Sequence, residues 1–229
     1  MTPGRERSAA SFAVPFWSPA EVEASIPATI EHLEAWKVLA YPTETVYGFG
    51  GAVTSEAVDA LVALKGRAPG KPFLLLVASR EMVERLDLRL QGSAAQLAAR
   101  HWPGPLTLVL PGGERRVPEK LRGPEGGIAV RWTSHRQLQR LLRTYGHPIT
   151  STSANRPGVP PAMTAAEIVE QWSDAIGQGK VRVLDGGKLS PSSPSTVVDC
   201  TGRRPRVIRP GEISSAVLRE SVPDLVGDA

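Results

Sequence analysis

Short, mostly apolar runs recur along this chain, and they restrict its fold to the α/β type. Such runs occupy positions 38–41, 73–77, 106–110 and 128–130, and most of them are bounded by Gly or Pro. Runs of this kind are typical of strands that are buried on both faces of a sheet. Apolar residues with helical spacing lie between them, as from Ser55 through Leu61 to Leu64. Because strands and helices alternate, the sequence predicts a sheet that is covered by helices.

The organisation of the chain favours one large domain of the 229 residues. Further strands are predicted at 148–151, 181–184, 196–198 and 206–208. Ser18-Pro19-Ala20-Glu21 has the form of a capping box with Pro at the first helical position. Ser134 with Gln137, and Thr164 with Glu167, predict two more helix starts of the same kind. We therefore predict a flexible N-terminal tail over residues 1–17, a folded domain over 18–215 and a C-terminal tail over 216–229.

Composition excludes several classes of function. Cys200 is the only cysteine, so no intramolecular disulfide or cysteine-based metal site can form, which fits a reducing cytoplasm. The histidines lack metal-ligand spacing, and no Ser-His-Asp arrangement can be read from the residue order. No apolar run approaches the roughly 20 residues that a membrane helix needs. The net charge of +4 and the pI of about 9.5 suit an anionic ligand or RNA without choosing between them.

The segment KGRAPGKP is the first candidate site, because it brings Lys65, Arg67 and Lys71 close together in sequence. Gly and Pro fix the shape of this loop, so three converging cations suit a phosphate group. The alternative is that cations at the C-terminal end of a helix interact with its dipole and need no ligand. The segment is not a Walker A loop, because its glycines are too close and Pro72 replaces the Ser or Thr that binds magnesium. A nucleotide would be held differently here.

The other candidate residues follow predicted strands. Thr45 lies in the PTETVYG loop, Arg131 ends the strand IAVR, and Ser153 and Asn155 follow a strand in the segment STSAN. A charged group at such a position usually faces a cleft or pairs with a carboxylate, and Arg131 is suited to bidentate binding of a carboxylate. The alternatives are an ordinary Thr-rich turn at Thr45, and capping or turn roles for Ser153 and Asn155.

Weaker signals flank these positions. Ser195 begins a predicted strand, and Arg209 ends the strand that follows it. The Ser/Pro-rich segment 189–195 is of the kind that is mobile or closes over a site. Gly48, Gly50 and Gly51 are expected to allow unusual backbone angles in the loop that contains Thr45.

Seven segments resemble, in this order, the motifs of a known family: PTETVYGFG, KGRAPGKP, WPGPLTLVL, IAVRW, STSANRPG, SPSTVVD and VIRPG. They extend from residue 38 to about residue 212 and are similar to Sua5/YrdC/YciO proteins, whose members include threonylcarbamoyl-AMP synthases. The resemblance implies an open, twisted mixed α/β sheet that is covered by helices and curves around a concave cationic groove. It also implies the short form of the family, with a single YrdC-like domain.

The resemblance further implies a synthase that joins L-threonine, bicarbonate and ATP into L-threonylcarbamoyladenylate with release of pyrophosphate. A tRNA-threonylcarbamoyl transferase machinery would then modify the adenosine beside the anticodon of certain tRNAs, and direct tRNA binding is a related expectation. By position, the resemblance assigns catalysis to Lys65 and Arg67, ATP binding to Arg67, Lys71, Asn155, Met163 and Arg209, and threonine binding to Thr45, Arg131, Ser153 and Ser195. No protein metal ligand is assigned, and Mg²⁺ is expected only with the nucleotide.

Electrostatic catalysis from these positions would make rate, rather than stability, sensitive to mutation. Replacing Lys65 or Arg67 by Ala is expected to lower the rate with little loss of stability. Two positions depart from the family pattern: Leu76 stands where some relatives carry a polar residue near threonine, and Ala68 replaces a proline that often follows K-x-R. The segment KPF is also similar to the YciO branch. The alternative function is therefore a non-catalytic, YciO-like protein that binds RNA in the same groove.

Overall fold

The computed structural model describes residues 12–66 and 72–227, and in this part of the chain it shows an open sheet of ten strands. The strands are β1 (Ala13–Pro15), β2 (Val38–Tyr41), β3 (Gly48–Gly50), β4 (Leu74–Val77), β5 (Leu106–Leu110), β6 (Ile128–Trp132), β7 (Ile149–Ser153), β8 (Val181–Asp185), β9 (Thr196–Asp199) and β10 (Arg206–Arg209). Their order across the sheet is β1-β8-β2-β3-β7-β4-β6-β5-β9-β10. All eight predicted strands are present.

Parallel and antiparallel pairs are mixed in this sheet. β8 is parallel to both β1 and β2, β4 is parallel to β6, and β5 is parallel to β9. The remaining neighbours are antiparallel. The predicted fold class, a mixed open α/β sheet, is confirmed.

Helices alternate with the strands along the chain. They are α1 (Pro19–Glu34), α2 (Ser55–Lys65), α3 (Arg80–Arg85), α4 (Gly92–His101), α5 (Arg136–Tyr145), α6 (Ala165–Gly177) and α7 (Ser215–Ser221), with a short 3₁₀ helix at Glu119–Leu121. The predicted box at α1 is confirmed, since the Glu21 N–H donates to Ser18 Oγ at 3.3 Å and the Ser18 N–H donates to Glu21 Oε2 at 2.8 Å. The Glu167 N–H likewise donates to Thr164 Oγ1 at 3.2 Å, so α6 begins where predicted.

The start of α5 differs from the prediction. His135, not Ser134, caps this helix, because its Nδ1 accepts the Leu138 N–H at 3.3 Å. The Gln137 amide donates instead to the Trp17 carbonyl oxygen at 2.9 Å. The predicted capping box at Ser134 is therefore wrong by one residue, since a His side chain also supplies a suitable acceptor.

Ordered structure extends beyond both predicted domain boundaries. Ala13 pairs with Val183 in the sheet, and Phe16 is fully buried, so β1 belongs to the fold although it precedes residue 18. At the other end, Leu218 and Val222 are buried after residue 215. Short apolar anchors inside polar surroundings explain why the sequence suggested tails there. Residues 1–11 of the predicted N-terminal tail lie outside the described residues.

The glycines of PTETVYGFG serve a different purpose from the predicted one. Gly48 and Gly50 belong to β3, and neither they nor Gly51 have positive φ angles. A Cβ on Gly50 would lie 1.7 Å from the Thr150 carbonyl oxygen of β7. Glycine is therefore required by the close approach of two strands, and the prediction of unusual backbone angles was wrong.

One face of the central strands remains open. On β5, the side chains of Thr107 and Val109 line a groove on this face, whereas Leu106, Leu108 and Leu110 are fully buried on the opposite face. This alternation follows from the two-residue period of a strand. Within the described residues, no helix has the length and apolarity needed to cross a membrane.

Candidate functional site

A groove of about 1310 Å³ lies over the open face of the sheet. Eight predicted site residues line it: Thr45, Lys65, Arg131, Ser153, Asn155, Met163, Ser195 and Arg209. They come from strands, helix ends and loops that are far apart in sequence but meet at the centre of the sheet. Arg67 and Lys71 lie outside the described residues, so their roles stay predictions.

Lys65 ends α2 and continues its buried face, four positions after Leu61. Gly66 follows with a left-handed φ of 56° and ends the helix. The Lys65 ammonium donates to the Ser153 carbonyl oxygen at 2.8 Å and to Asn155 Oδ1 at 2.9 Å, and also to the Asn155 carbonyl oxygen. The residue is only 7% exposed. All three oxygens belong to the turn after β7, so Lys65 fastens this turn to the end of α2.

The turn after β7 is stabilised by its own side chains as well. Ser153 Oγ donates to Asn155 Oδ1 at 2.6 Å, and Asn155 Nδ2 donates to the Val159 carbonyl oxygen at 2.7 Å. The Ala154 N–H donates to the Tyr47 carbonyl oxygen at 2.8 Å, which joins this turn to the loop before β3. Turn roles for Ser153 and Asn155 are thus real, and they coexist with positions on the groove wall.

Arg131 projects from β6 into the groove, although only 4% of it is exposed. Its Nη1 lies 3.5 Å from Thr45 Oγ1, and its Nε lies 3.7 Å from Glu44 Oε1. Glu44 Oε2 accepts a hydrogen bond of 2.6 Å from the Thr133 hydroxyl. Thr43 Oγ1 accepts the Thr45 N–H at 3.1 Å and fixes the loop that presents Thr45. Arg131 and Thr45 are therefore held side by side.

Ser195 and Arg209 form the opposite wall. The Ser195 hydroxyl lies 2.9 Å from Thr107 Oγ1, and Arg209 Nη2 donates to Ser195 Oγ at 3.0 Å and to its carbonyl oxygen at 2.8 Å. Burial lowers the pKa of Arg209, and the nearby positive charge of Arg131 lowers it further. The two guanidinium groups thus repel each other across the groove, and an anion bound between them would relieve this repulsion.

Charge is unevenly distributed along the groove. At one end, Arg206 lies 3.7 Å from the carboxylates of both Glu125 and Asp199. Those two are the carboxylates among the described lining residues. Three further cations line the groove: Lys65, Arg131 and Arg209. The excess of positive charge away from Arg206 supports the expected cationic character of the groove and its use for an anionic ligand.

The Ser/Pro-rich segment lies along the edge of the groove, which Pro191, Ser192 and Pro194 line. Ser192 Oγ donates to the Thr45 carbonyl oxygen at 3.2 Å. The Leu189 N–H donates to the Met163 carbonyl oxygen at 2.9 Å. These contacts connect the segment to two separate parts of the wall, and its closure over a site stays a prediction.

Sequence reasoning did not identify Thr107, Thr133 or the cluster around Arg206. Thr107 left a signal, because it is the polar residue inside the buried run LTLVL, and a hydroxyl on a central strand needs a partner. Thr133 and Arg206 left none, since their partners are distant in sequence.

Comparison with known proteins shows the family to which this fold and groove belong. A family model for Sua5, YciO and YrdC proteins, with the description Telomere recombination, matches residues 31–211. The chain belongs to the Sua5/YciO/YrdC family. The resemblance that the seven sequence motifs indicated is therefore confirmed over all of the described groove residues.

Individual members of the Sua5/YciO/YrdC family are similar over most of this chain. A threonylcarbamoyl-AMP synthase of Pyrococcus abyssi is 36% identical over an alignment of 209 residues, which covers 85% of this chain and 60% of that protein. A threonylcarbamoyl-AMP synthase of Thiobacillus denitrificans is 37% identical over 183 residues, which are 79% of this chain and 94% of that protein. The chain thus spans about three fifths of the first relative and nearly all of the second.

A solved structure shows the same architecture. The crystal structure of P. abyssi Sua5 complexed with L-threonine matches with a TM-score of 0.82 and 30% sequence identity. The match covers 93% of this chain and 62% of that protein. The fold is therefore shared by a family member that was crystallised with an amino acid.

Proposed function

We propose that this member of the Sua5/YciO/YrdC family is an L-threonylcarbamoyladenylate synthase, a nucleotidyltransferase that uses L-threonine, bicarbonate and ATP. The observation that carries the proposal is a single groove in which a buried guanidinium, several hydroxyls and an excess of cations converge. Such a groove suits a small zwitterion beside a polyphosphate. Relatives with this activity in their name, and a similar structure with L-threonine, support the same function.

We assign the threonine half of the groove to Arg131, Thr45, Ser153 and Ser195. Arg131 can bind a carboxylate with two parallel hydrogen bonds, and its burial strengthens this attraction. The hydroxyl groups around it can accept from the amino group or donate to the threonine hydroxyl. These contacts would orient the amino nitrogen toward the nucleotide half. Holding the reacting groups close together in this way lowers the entropic cost of the reaction.

We assign the nucleotide half to Lys65, Asn155, Met163 and Arg209, together with Arg67 and Lys71. Asn155 and Arg209 present an amide and a guanidinium to the groove, and Met163 adds an apolar surface next to the segment at 189–195. Lys65 contributes its positive charge and holds Asn155 in place. Arg67 and Lys71 complete the set by sequence position.

The proposed reaction requires two bonds to form. The threonine amino nitrogen bonds to the carbon of bicarbonate, and water leaves, which gives a carbamate. An oxygen of the carbamate then attacks the α-phosphorus of ATP, and the bond from that phosphorus to the pyrophosphate oxygen breaks. Negative charge grows on the phosphate oxygens during this step, and Arg209 and Lys65 would stabilise it by fixed positive charge. Mg²⁺ would arrive with the nucleotide, bound mainly by phosphate and water.

The product of this reaction is a mixed anhydride, which water attacks readily. A transferase that accepts the threonylcarbamoyl group must therefore be available near the synthase. Within the same proposal, this acceptor is the tRNA-threonylcarbamoyl transferase machinery of the cytoplasm. The synthase itself then does not need to bind a specific tRNA sequence.

Release of pyrophosphate from the purified protein tests the proposal. ATP, L-threonine and bicarbonate are supplied together and then with each one omitted, and pyrophosphate is measured by a coupled enzymatic assay. We expect release only with the complete mixture, and L-valine, which replaces the threonine hydroxyl by a methyl group, should support less. Release that is independent of threonine would overturn the proposal.

The same preparation also tests the non-catalytic alternative. Tight tRNA binding that weakens steeply with salt, without any pyrophosphate release, would favour an RNA-binding protein that uses the groove electrostatically. The synthase proposal predicts turnover in the absence of RNA.

A further inference from the structure

A buried carboxylate lies next to the Arg131 guanidinium. Glu44 stands between Thr43 and Thr45, which both line the groove, but Glu44 is not among the described lining residues. Its Oε1 lies 3.7 Å from Arg131 Nε, a distance too long for a hydrogen bond but short enough for an ion pair. The Glu44 and Arg131 side chains are 14% and 5% exposed. The charge of Glu44 therefore acts on Arg131 with little screening by water.

Two further residues define the environment of Glu44. The Thr133 hydroxyl donates to Glu44 Oε2 at 2.6 Å, and Thr133 Oγ1 accepts the His135 N–H at 3.2 Å. His135 also faces Glu44, but burial lowers the pKa of His135, so its ring is neutral near pH 7. Arg131 is thus the charged partner that Glu44 acts upon, and Thr133 fixes the carboxylate from the other side.

We propose that Glu44 is a positioning residue, which directs the Arg131 guanidinium toward the carboxylate of the bound amino acid. The proposal rests on the proposed function, because that function assigns the threonine carboxylate to Arg131. Glu44 attracts the Nε side of the guanidinium, while Nη1 lies next to Thr45 at the groove wall. The Nη1 end of the guanidinium, which can form a bidentate pair together with Nη2, is therefore directed to the groove before the ligand binds.

Electrostatics explains why Arg131 needs such a partner. Arg131 and Arg209 act on each other as like charges across the groove. Without Glu44, a long side chain with this repulsion in front of it would rotate away from the groove, and ligand binding would have to reverse that motion. A guanidinium that is already oriented avoids this cost. Glu44 also compensates one buried positive charge, and Arg131 is costly to bury alone.

Steady-state kinetics of Glu44→Gln test the proposal. Gln keeps the size of the side chain and an oxygen that can accept from Thr133, but it removes the charge. We expect the KM for threonine to rise about tenfold, because Arg131 is no longer oriented before binding, with the KM for ATP and kcat within about threefold of wild type. Glu44→Asp, which restores the charge on a shorter side chain, should recover part of the affinity. Glu23→Gln is the matched control, because Glu23 is an exposed glutamate that pairs with Arg140.

A double-mutant cycle separates positioning from a general structural effect. In an Arg131→Lys background, Glu44→Gln should change the KM for threonine by less than about twofold, because the group it orients is gone. Thermal unfolding of each variant shows which ones are folded, and titration calorimetry with L-threonine gives affinity without turnover. An equal loss of threonine and ATP affinity, or the same tenfold effect in the Arg131→Lys background, would overturn the positioning role.

Failure of the proposed function gives a different result. A wild-type protein that binds no threonine and releases no pyrophosphate would overturn both proposals. A wild-type protein that is active, combined with a Glu44→Gln variant of unchanged threonine affinity, would overturn the positioning role alone.

Discussion

The replacement of Lys65 by Met tests whether this side chain holds the turn after β7 in place. The ammonium is 7% exposed, and it donates to the Ser153 carbonyl oxygen, the Asn155 carbonyl oxygen and Asn155 Oδ1. Met has a similar length but no donor, so the two carbonyl groups and the amide oxygen lose a charged partner. Asn155 Oδ1 keeps the Ser153 hydroxyl as a donor, and the Ser153 carbonyl oxygen keeps the Asn155 N–H at 3.1 Å. The cost is therefore the loss of charge-assisted hydrogen bonds, worth about 1.5–3 kcal/mol each, and the removed desolvation penalty of Lys65 offsets part of the sum.

A net loss of about 2–4 kcal/mol in the free energy of unfolding is therefore expected for Lys65→Met. For a domain of this size, such a loss lowers Tm by about 5–15 °C. Displacement of Ser153 and Asn155 should also reduce kcat/KM by about a hundredfold or more, because a shift of about 1 Å in a group that positions the substrate can lower the rate by that factor. This differs from the sequence-based expectation that Lys65 affects rate with little effect on stability.

Differential scanning fluorimetry without ligands, combined with the pyrophosphate assay, checks both parts. Lys37→Met is the matched control, because Lys37 is exposed, and its Tm should stay within about 2 °C of wild type. A Lys65→Met protein with wild-type Tm and little activity would refute the view that Lys65 stabilises the turn after β7. It would indicate that Lys65 acts directly on the ligand. Wild-type values for both would remove Lys65 from the site.

Three further outcomes follow from the geometry. Arg209→Gln should lower ATP affinity about tenfold in titration calorimetry, and unaltered affinity would contradict its place in the nucleotide half. The Tm should fall by only a few degrees, because the side chain loses its bonds to Ser195 but remains in contact with solvent. Burial lowers the pKa of His135, so the unfolded chain binds more protons and stability decreases as the pH falls below about 6.5. His135→Asn, which keeps a capping side chain, should flatten that part of the pH profile of urea unfolding, and an unchanged profile would disprove the assignment. Burial raises the pKa of Cys200 to about 12, so its thiolate at pH 8 is roughly a thousandfold scarcer than at the ordinary pKa of 9. Reaction with Ellman's reagent should be correspondingly slow in the folded protein and fast in urea, and rapid labelling of the folded protein would argue against this burial.

The sheet was largely predictable from the sequence, because four strands contain continuous apolar runs and the other four are short segments with apolar or β-branched residues between helices and turns. β3 was missed, since Gly-Phe-Gly has the composition of a turn, and only the closeness of Gly50 to Thr150 explains it. β1 was missed as well, because three residues carry too little pattern to show that they add to the edge of a sheet. Local patterns report burial but not which distant strand lies alongside.

The site was predictable in part. Lys65 left a signal beyond its motif, because it follows Leu61 at a spacing of four on the buried face of α2, where a cation requires acceptors. Ser153, Asn155 and Ser195 have ordinary turn uses, so the residues themselves did not distinguish a site from a turn, and the family resemblance supplied the substrates. The contact between Glu44 and Thr133 joins positions 89 residues apart and has no signature in the sequence.

The identity of the product tests the central claim most directly. The purified protein is incubated with ATP, L-threonine and ¹³C-bicarbonate, and the mixture is analysed at once by mass spectrometry. The account predicts threonylcarbamoyl-AMP that carries one ¹³C atom, in equal amount to the pyrophosphate released, and loss of both in the absence of threonine. Pyrophosphate without a labelled adenylate, or AMP that forms equally without threonine, would contradict it.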